Sequence, residues 1–364
     1  MIRLLSTAAL LALLAGCGDG QPFDFEDPAD APADGGDAGG RDSGGDAEDG
    51  DDADDGFGGD ERLLPGTADP DPDRSITRFE AETEDGGGFV RRVTLLSGAR
   101  LEVDNLAFDG TEPYRSDYRG PSTLNGYAVF QSAAEVETGG SEPIDQLDYR
   151  AIYGESINTV RVDGERLPRT RFAVVRTGDF SNFGFGGFLY ERNGGVEIPA
   201  RGQAAFRGDY AGIRVFDTIS RHEFTTGDIE VLVDFDDFNA SDGVRGTLSN
   251  RRAFDEDGLE IETNTSGVRR TDLSDRAILD LPTVRFVLTD AASTPNGEIV
   301  GQLNNLVVVD GKAEPYEAGE YFGVLSGDLE TGGEVTGILV FESEDPRLED
   351  IRVQETGGFT AYRD

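Results

Sequence analysis

The chain lacks most of the residues from which catalytic sites are built. Its 364 residues include one cysteine, Cys17, one histidine, His222, and no tryptophan. A single cysteine excludes a disulfide within the chain. A single histidine leaves zinc sites and Ser–His–Asp or Cys–His arrangements short of members. Lys312 is the only lysine, and the formal net charge is −41. Nucleic-acid binding and charge-driven docking to anionic lipid both need a basic face, so neither is expected. Past the first residues no apolar run is long enough for a membrane-spanning helix, and no glycine loop followed by a helix cradles phosphate. The expectation is a protein without cofactor, resident metal or catalysis.

Glycine, phenylalanine and acid are plentiful instead, at 50 Gly, 22 Phe and 73 Asp plus Glu. That balance suits a turn-rich β protein better than a helical one. Residues 1–16 carry Arg3, an apolar run from Leu4 to Leu14 and then small residues, the pattern of a secretory leader. The end of that run, Leu14-Ala15-Gly16-Cys17, resembles the lipobox of bacterial lipoproteins. The resemblance implies cleavage before Cys17 and acylation of its thiol and new amino group with palmitate-type chains. Two signals suffice for stable anchoring, each buried CH2 contributing about 0.8 kcal/mol. Gly18 in place of an aspartate points to the outer membrane, with the folded part periplasmic or surface-exposed. Residues 17–74 then form an acidic Gly/Asp-rich linker with too little apolar surface to offset ordering entropy. A tether of that length spans roughly 40 Å if it behaves as a flexible coil. Its carboxylates are expected to bind divalent cations weakly and without specificity, because no apolar repeat accompanies them.

From about residue 75 the pattern is β. Residues 75–198 read as a smaller handle-like sheet, with strands expected at 89–96, 101–106, 127–130, 149–153, 158–162, 171–176 and 187–191. Ser97-Gly98, Asp109-Gly110, Asp163-Gly164 and Asn193-Gly194 supply turns between them. Glu142–Leu147 is compatible with one helical turn. The aromatic stretch Phe180–Tyr190 has two readings: a bent strand whose rings pack in the core, or an exposed binding loop.

Residues 199–364 alternate more regularly. Phe206, Gly208, Tyr210 and Gly212 share one face, opposite Arg207, Asp209 and Ala211. Ile229, Val231, Val233 and Phe235 oppose Glu230, Asp234 and Asp236, and a third run places Val244, Gly246 and Leu248 together. Glycine alternating with aromatics lets a sheet curl without losing packing. Further strands are expected at 283–288, 298–303, 321–326, 335–341 and 351–353, with Phe359–Tyr362 as a last edge strand. The polar stretch Arg251–Pro282 reads as a long functional loop or as one carrying a short helix near Asp275–Leu279. About eight strands is the count at which a barrel interior is filled by side chains or holds one small ligand.

The phrases GQAAFRGDYAG (202–212), GDIEVLVDFDDF (227–238), GVRGTLSNRR (243–252) and GEYFGVLSGDLETGGEVTGILVF (319–341) carry a resemblance. Together with the lipobox they look like the barrel signature of bacterial surface lipoproteins related to transferrin-binding protein B. The resemblance covers 202–341 well and the region before it loosely. It implies an all-β fold, with an eight-stranded antiparallel barrel beside a smaller handle-like sheet. It also implies capture of a protein or solute partner at the cell envelope. The residues singled out for binding are Phe180, Phe183 and Phe185, His222 (read as exposed in a turn), and Arg251 and Arg252, on loops 180–188, 217–227 and 251–282. A structural envelope lipoprotein with a solid barrel is the alternative. An acid-dependent hydrolase using Asp234, Asp236 and Asp237 is a third reading, set against the plainer one of a solvated strand face.

Overall fold

The computed structural model describes residues 63–364, except 84–86, 105, 118–119, 134, 137–143, 179–181, 239–242, 270–277 and 288–291. Cys17, the leader, nearly all of the acidic linker, Phe180 and most of the helix expected at 275–279 lie outside the described residues. The described residues belong to one compact unit, Gly56–Asp364.

Nine strands build the first sheet: β1 (Ile76–Phe79), β2 (Val93–Leu96), β3 (Arg100–Val103), β4 (Tyr114–Arg115), β5 (Thr123–Leu124), β6 (Tyr127–Gln131), β7 (Tyr149–Glu155), β8 (Thr170–Thr177) and β9 (Gly186–Arg192). They run in the order β1-β9-β8-β7-β6-β4-β3-β2, with β5 on β6. Residues 144–145 pair with 135–136 as strand, so the helical turn expected at 142–147 does not form there. The 158–162 strand pairs only with Glu165–Pro168, as a separate hairpin. One face of the large sheet is lined by Phe130, Tyr149, Tyr153, Val175 and Leu189, which form a core of their own.

Eight further strands close a barrel: β10 (Gln203–Phe216), β11 (Ile219–Asp234), β12 (Val244–Phe254), β13 (Val284–Phe286), β14 (Glu298–Val309), β15 (Lys312–Asp328), β16 (Glu334–Glu344) and β17 (Arg352–Arg363). Each pairs antiparallel with the next, β17 pairs with β10, and β14 with β15, so the ring has no free edge. Two sequence expectations need correcting here. The strands expected at 351–353 and 359–362 are one continuous strand, Arg352–Arg363, and it is central rather than an edge. The 217–227 segment is not a loop either: Asp217 and Thr218 make a two-residue turn and β11 runs on through it.

The inward alternation is as the sequence indicates, with Phe206, Tyr210, Ile229, Val231, Val233, Val244 and Leu248 in one apolar cluster. Aromatic rings lie across glycines on neighbouring inward positions. A methyl at Gly357 would sit 2.2 Å from the Tyr210 hydroxyl, and one at Gly246 would sit 2.5 Å from the Phe286 ring. Phe286 in turn stacks on Tyr321, centroids 4.0 Å apart. The outward face of the barrel is not polar throughout. Ala211, Ile213, Val215 and Phe224 meet Ile152, Phe172, Val174 and Phe188 of the sheet in a second apolar cluster. Buried polar bonds lock that seam: Arg78 to Glu298 at 2.5 and 3.0 Å, and Tyr127 Oη to the Asp209 carbonyl at 2.8 Å. Glu334 completes it by accepting from Ser156, Asn158 and Thr170.

Candidate functional site

The barrel has two unlike ends. At one, the single helical turn Phe235–Phe238 and Leu329 cover the interior with Phe235 and Phe238 buried. Asp234 and Asp236 serve that turn: Asp234 accepts from the Asp236 amide at 3.1 Å and Asp236 from the Gly202 amide at 3.0 Å. Of the carboxylates considered for hydrolysis, half-exposed Asp234 and exposed Asp236 thus order a turn and Asp237 is exposed, and Phe235 begins that turn instead of continuing the strand.

The other end carries the turn at 217–218, the described parts of the 255–283 connection (255–269 and 278–283), the turn at 310–311 and the loop 345–351. Beneath it the inward positions change from apolar to charged. Arg251 donates to Glu317 at 2.5 and 3.0 Å and to Glu355 at 2.8 Å, with its guanidinium 5.0 Å from the Phe341 ring. Glu355 also accepts from Tyr210 Oη at 2.9 Å and Thr225 Oγ1 at 2.8 Å. Arg214 lies 3.4–3.7 Å from Glu355, Glu223 and Asp345. Arg347, on the covering loop, donates to Glu223 at 2.9 Å and to Asp345 at 2.5 Å. Charges taken this far out of water persist only when paired and hydrogen-bonded. Burial alone would raise the Glu355 pKa, yet Arg251 and Arg214, helped by the Thr225 and Tyr210 hydroxyls, hold it below the usual carboxylate value. Asp345 is likewise held low against its burial by Arg347 and Arg214. Burial alone would discharge the Arg251 guanidinium, but Glu317 and then Glu355 hold it charged. These groups face one another across the interior, where they close the barrel rather than line a reaction cleft.

The binding residues expected from sequence separate accordingly. His222 is in β11 and 5 % exposed, on the face turned to the sheet with its ring edge-on to Phe224, not in an exposed turn. Arg251 is fully buried in the charged network and is not a loop residue. Arg252 points outward to Glu260 at 2.6 and 2.8 Å. A β-bulge decides between these two arginines. Asn250 has a positive φ of 51° and the β11–β12 register shifts there, so Arg251 takes the inward place that strict alternation from Leu248 would give Arg252. The aromatic segment divides too: Phe188 and Tyr190 are core, while Phe183 and Phe185 are half-buried.

The charged end does gather three separated stretches. Gly178 abuts the backbone of Arg221, and Arg352 lies 5.3 Å over the Phe183 ring. Gly178 and Phe183 therefore share one rim with segments 217–221 and 345–352. Loop 255–282 adds exposed Leu259 (67 %) and Val268 (50 %) at its surface and buried Leu279 and Leu281 beneath. The charged network itself was not singled out from sequence. Its signal is parity: Arg214 and Glu355 fall on the inward face with Tyr210 and Phe359, where an alternating strand otherwise carries apolar residues. Among the described residues no group of three or more His, Cys, Asp or Glu is placed to hold a metal ion, and no helix is long and apolar enough to cross a membrane.

No family model and no curated protein matches the chain. Solved structures similar to it include a double mutant of Transferrin Binding Protein B from Haemophilus parasuis Hp5, at 11 % identity and TM-score 0.32, over 72 % of this chain and 40 % of that one. Others are a Surface Lipoprotein (16 %, TM-score 0.27, 57 % of this chain and 80 % of that one) and intact Ap-TbpB with N and C lobes (12 %, TM-score 0.29, 73 % and 42 %). The chain thus spans less than half the length of the first of these.

Proposed function

We propose that this chain is a lipid-anchored, non-catalytic protein of the cell envelope that binds a protein partner through the rim at the charged end of its barrel. The observation that carries this reading is the exposed apolar surface of Leu259 and Val268 at the rim; the filled interior is common to this reading and to the structural one and bears only on a solute. Stacked aromatics occupy one half and the Arg251 network the other, so a solute has no place inside and recognition falls to the exterior. The rim is also where three loop segments meet and where Leu259 and Val268 stand exposed. The chain enters the described region beside the opposite, apolar end. There Arg192 donates to the carbonyls of Asp71 and Arg74 on one side and of Asn296 and Leu325 on the other.

The test uses the full chain, expressed in its source and recovered in mild detergent. Cys17→Ser is expected to move it from the outer-membrane fraction to the soluble fraction. Capture from the envelope and medium is expected to recover one saturable protein partner, lost in a Leu259→Asp/Val268→Asp variant whose fold is retained. Recovery of peptidoglycan or abundant envelope proteins alone, unchanged by those substitutions, would instead support the structural reading with a solid barrel and no dedicated ligand.

A further inference from the structure

Acids outnumber bases in this chain by 73 to 32, yet two arginines on the hairpin 158–168 have no carboxylate partner among the described residues. Cross-strand register sets Arg161 directly opposite Arg166, so the two share a face with Cβ atoms roughly 5 Å apart. Val160 lies against Gly194, which makes the face of Val160, Val162 and Leu167 the inner one, and all three are half-buried. Thr159, Arg161 and Arg166 lie on the other face and are exposed. Arg161 donates to the Gly164 carbonyl at 3.2 Å and Arg166 to Thr159 Oγ1 at 2.9 Å.

A pair of the opposite sign stands on the barrel wall. Asp209 of β10 is directly opposite Asp228 of β11, and both are exposed. Asp228 accepts from Asn250 Nδ2 at 2.7 Å, and neither carboxylate has a cationic partner among the described residues. Arg207, two residues before Asp209 on the same face, is already held by Glu230 and Asp364. Partial burial and then the facing charge of Asp228 raise the Asp209 pKa. Like charges set directly opposite one another destabilise a sheet, so each pair is unfavourable alone and complementary to the other. The two pairs share one side of the molecule. At the base of the hairpin the Ile157 N–H donates to Tyr362 Oη at 3.0 Å, and Tyr362 is the cross-strand neighbour of Arg207. Ile157 itself is 82 % exposed.

We propose that this side is a two-fold interface between copies of the chain, with Arg161 and Arg166 of each copy seated on Asp209 and Asp228 of the other. A two-fold axis makes the contact twice, because the same surface then serves both copies. The two cross-strand pairs have the same spacing, so two guanidiniums meet two carboxylates one to one in charge-assisted hydrogen bonds. Ile157 adds an apolar member beside the charges. A net charge of −41 makes approach through acidic faces repulsive, but that repulsion is screened beyond about 8 Å at physiological salt, so the pairs in contact decide the outcome. The contact is small. The dimer is therefore weak in free solution and gains where copies are held on one membrane at high effective concentration. The base of the hairpin bonds Glu334 through Ser156 and Asn158, toward the apolar end, which leaves the rim at the charged end free.

The test is sedimentation equilibrium of the full chain in density-matched mild detergent with micelles in excess. The parent is expected to show a monomer–dimer equilibrium with Kd below about 1 mM. Arg161→Glu/Arg166→Glu and, separately, Asp209→Lys/Asp228→Lys should each weaken it at least about tenfold. An equimolar mixture of the two variants should restore the dimer. In the mixture the altered hairpin of one meets the altered wall of the other, and the unaltered pairs meet as in the parent. A variant that had merely misfolded would not be rescued in this way. A parent that stays monomeric at about 1 mM, a dimer that neither variant weakens, or a mixture no more associated than its components would each overturn the proposal. Should the wall variant unfold, Asp209→Asn/Asp228→Asn takes its place; it should weaken the dimer, and an unchanged dimer would refute the contact. The Leu259→Asp/Val268→Asp variant should keep the dimer while losing the captured partner, so failure of one reading does not imply failure of the other.

Discussion

The two halves of the barrel interior obey the same alternation and meet opposite needs. Toward the apolar end, inward positions hold Phe206, Val231, Phe286, Tyr321 and Leu339, and closure comes from Phe235 and Phe238 folding back over them. Toward the charged end, the same strands present Arg214, Glu223, Arg251, Glu317 and Glu355, and closure comes from loops that add Asp345 and Arg347. Apolar packing is non-directional and tolerates repacking. A buried ionic network tolerates little, because removing one member strands the others. The difference suggests a division of labour: a half that sets stability, and a half whose geometry fixes the loops above it.

The largest effect expected from breaking this contrast is at Arg251. Arg251→Ala leaves Glu317 and Glu355 buried and uncompensated and should cost about 3–5 kcal/mol. Phe286→Ala at the other end falls in the same range, about 3–5 kcal/mol, through cavity formation. The two are distinguished by pH in denaturant titrations. The Arg251→Ala loss should shrink as acid neutralises the stranded carboxylates, whereas the Phe286→Ala loss should not.

A smaller effect concerns Asp345. Its pKa and that of Glu355 lie below their ordinary values. Their contribution is therefore complete above the unfolded carboxylate range near about 4 and is lost as pH falls through the lower native values. Asp345→Asn should cost about 1–3 kcal/mol at neutral pH, by loss of charge-assisted bonds to Arg347. Melting temperatures of variant and parent should converge toward pH 3. Parallel curves down to that pH would refute the assignment. The smallest effect is at the neighbouring position: Arg252→Ala removes an exposed pair with Glu260 and should change stability by no more than about 1 kcal/mol. If Arg252→Ala proved as damaging as Arg251→Ala, the bulge-determined orientation of the two arginines would be wrong.

Much of this architecture was legible in the chain. Expected strands at 127–130, 149–153, 171–176 and 187–191 correspond to β6–β9 with ends moved by a residue or two, and three inward faces of the barrel were read correctly. Strand length was less legible. Residues 213–216 and 222–227 are strand although their polar and apolar letters do not alternate, because the sheet covers the barrel's outer face there and both sides are buried. The same burial explains why His222, in a polar run, reads as a surface turn.

The sequence by itself determined the β class, the approximate strand count, the alternation of the barrel wall and the scarcity of catalytic residue types, because side-chain period and composition are local properties. Only the tertiary structure decided that the ring closes through β17, that Arg251 and not Arg252 enters the interior, and that Asp209 and Asp228 stand opposite each other on the side that carries Arg161 and Arg166. Those outcomes depend on cross-strand register, on one bulge at Asn250 and on residues far apart in the chain becoming neighbours. A pattern of two along a single strand carries no information about any of them.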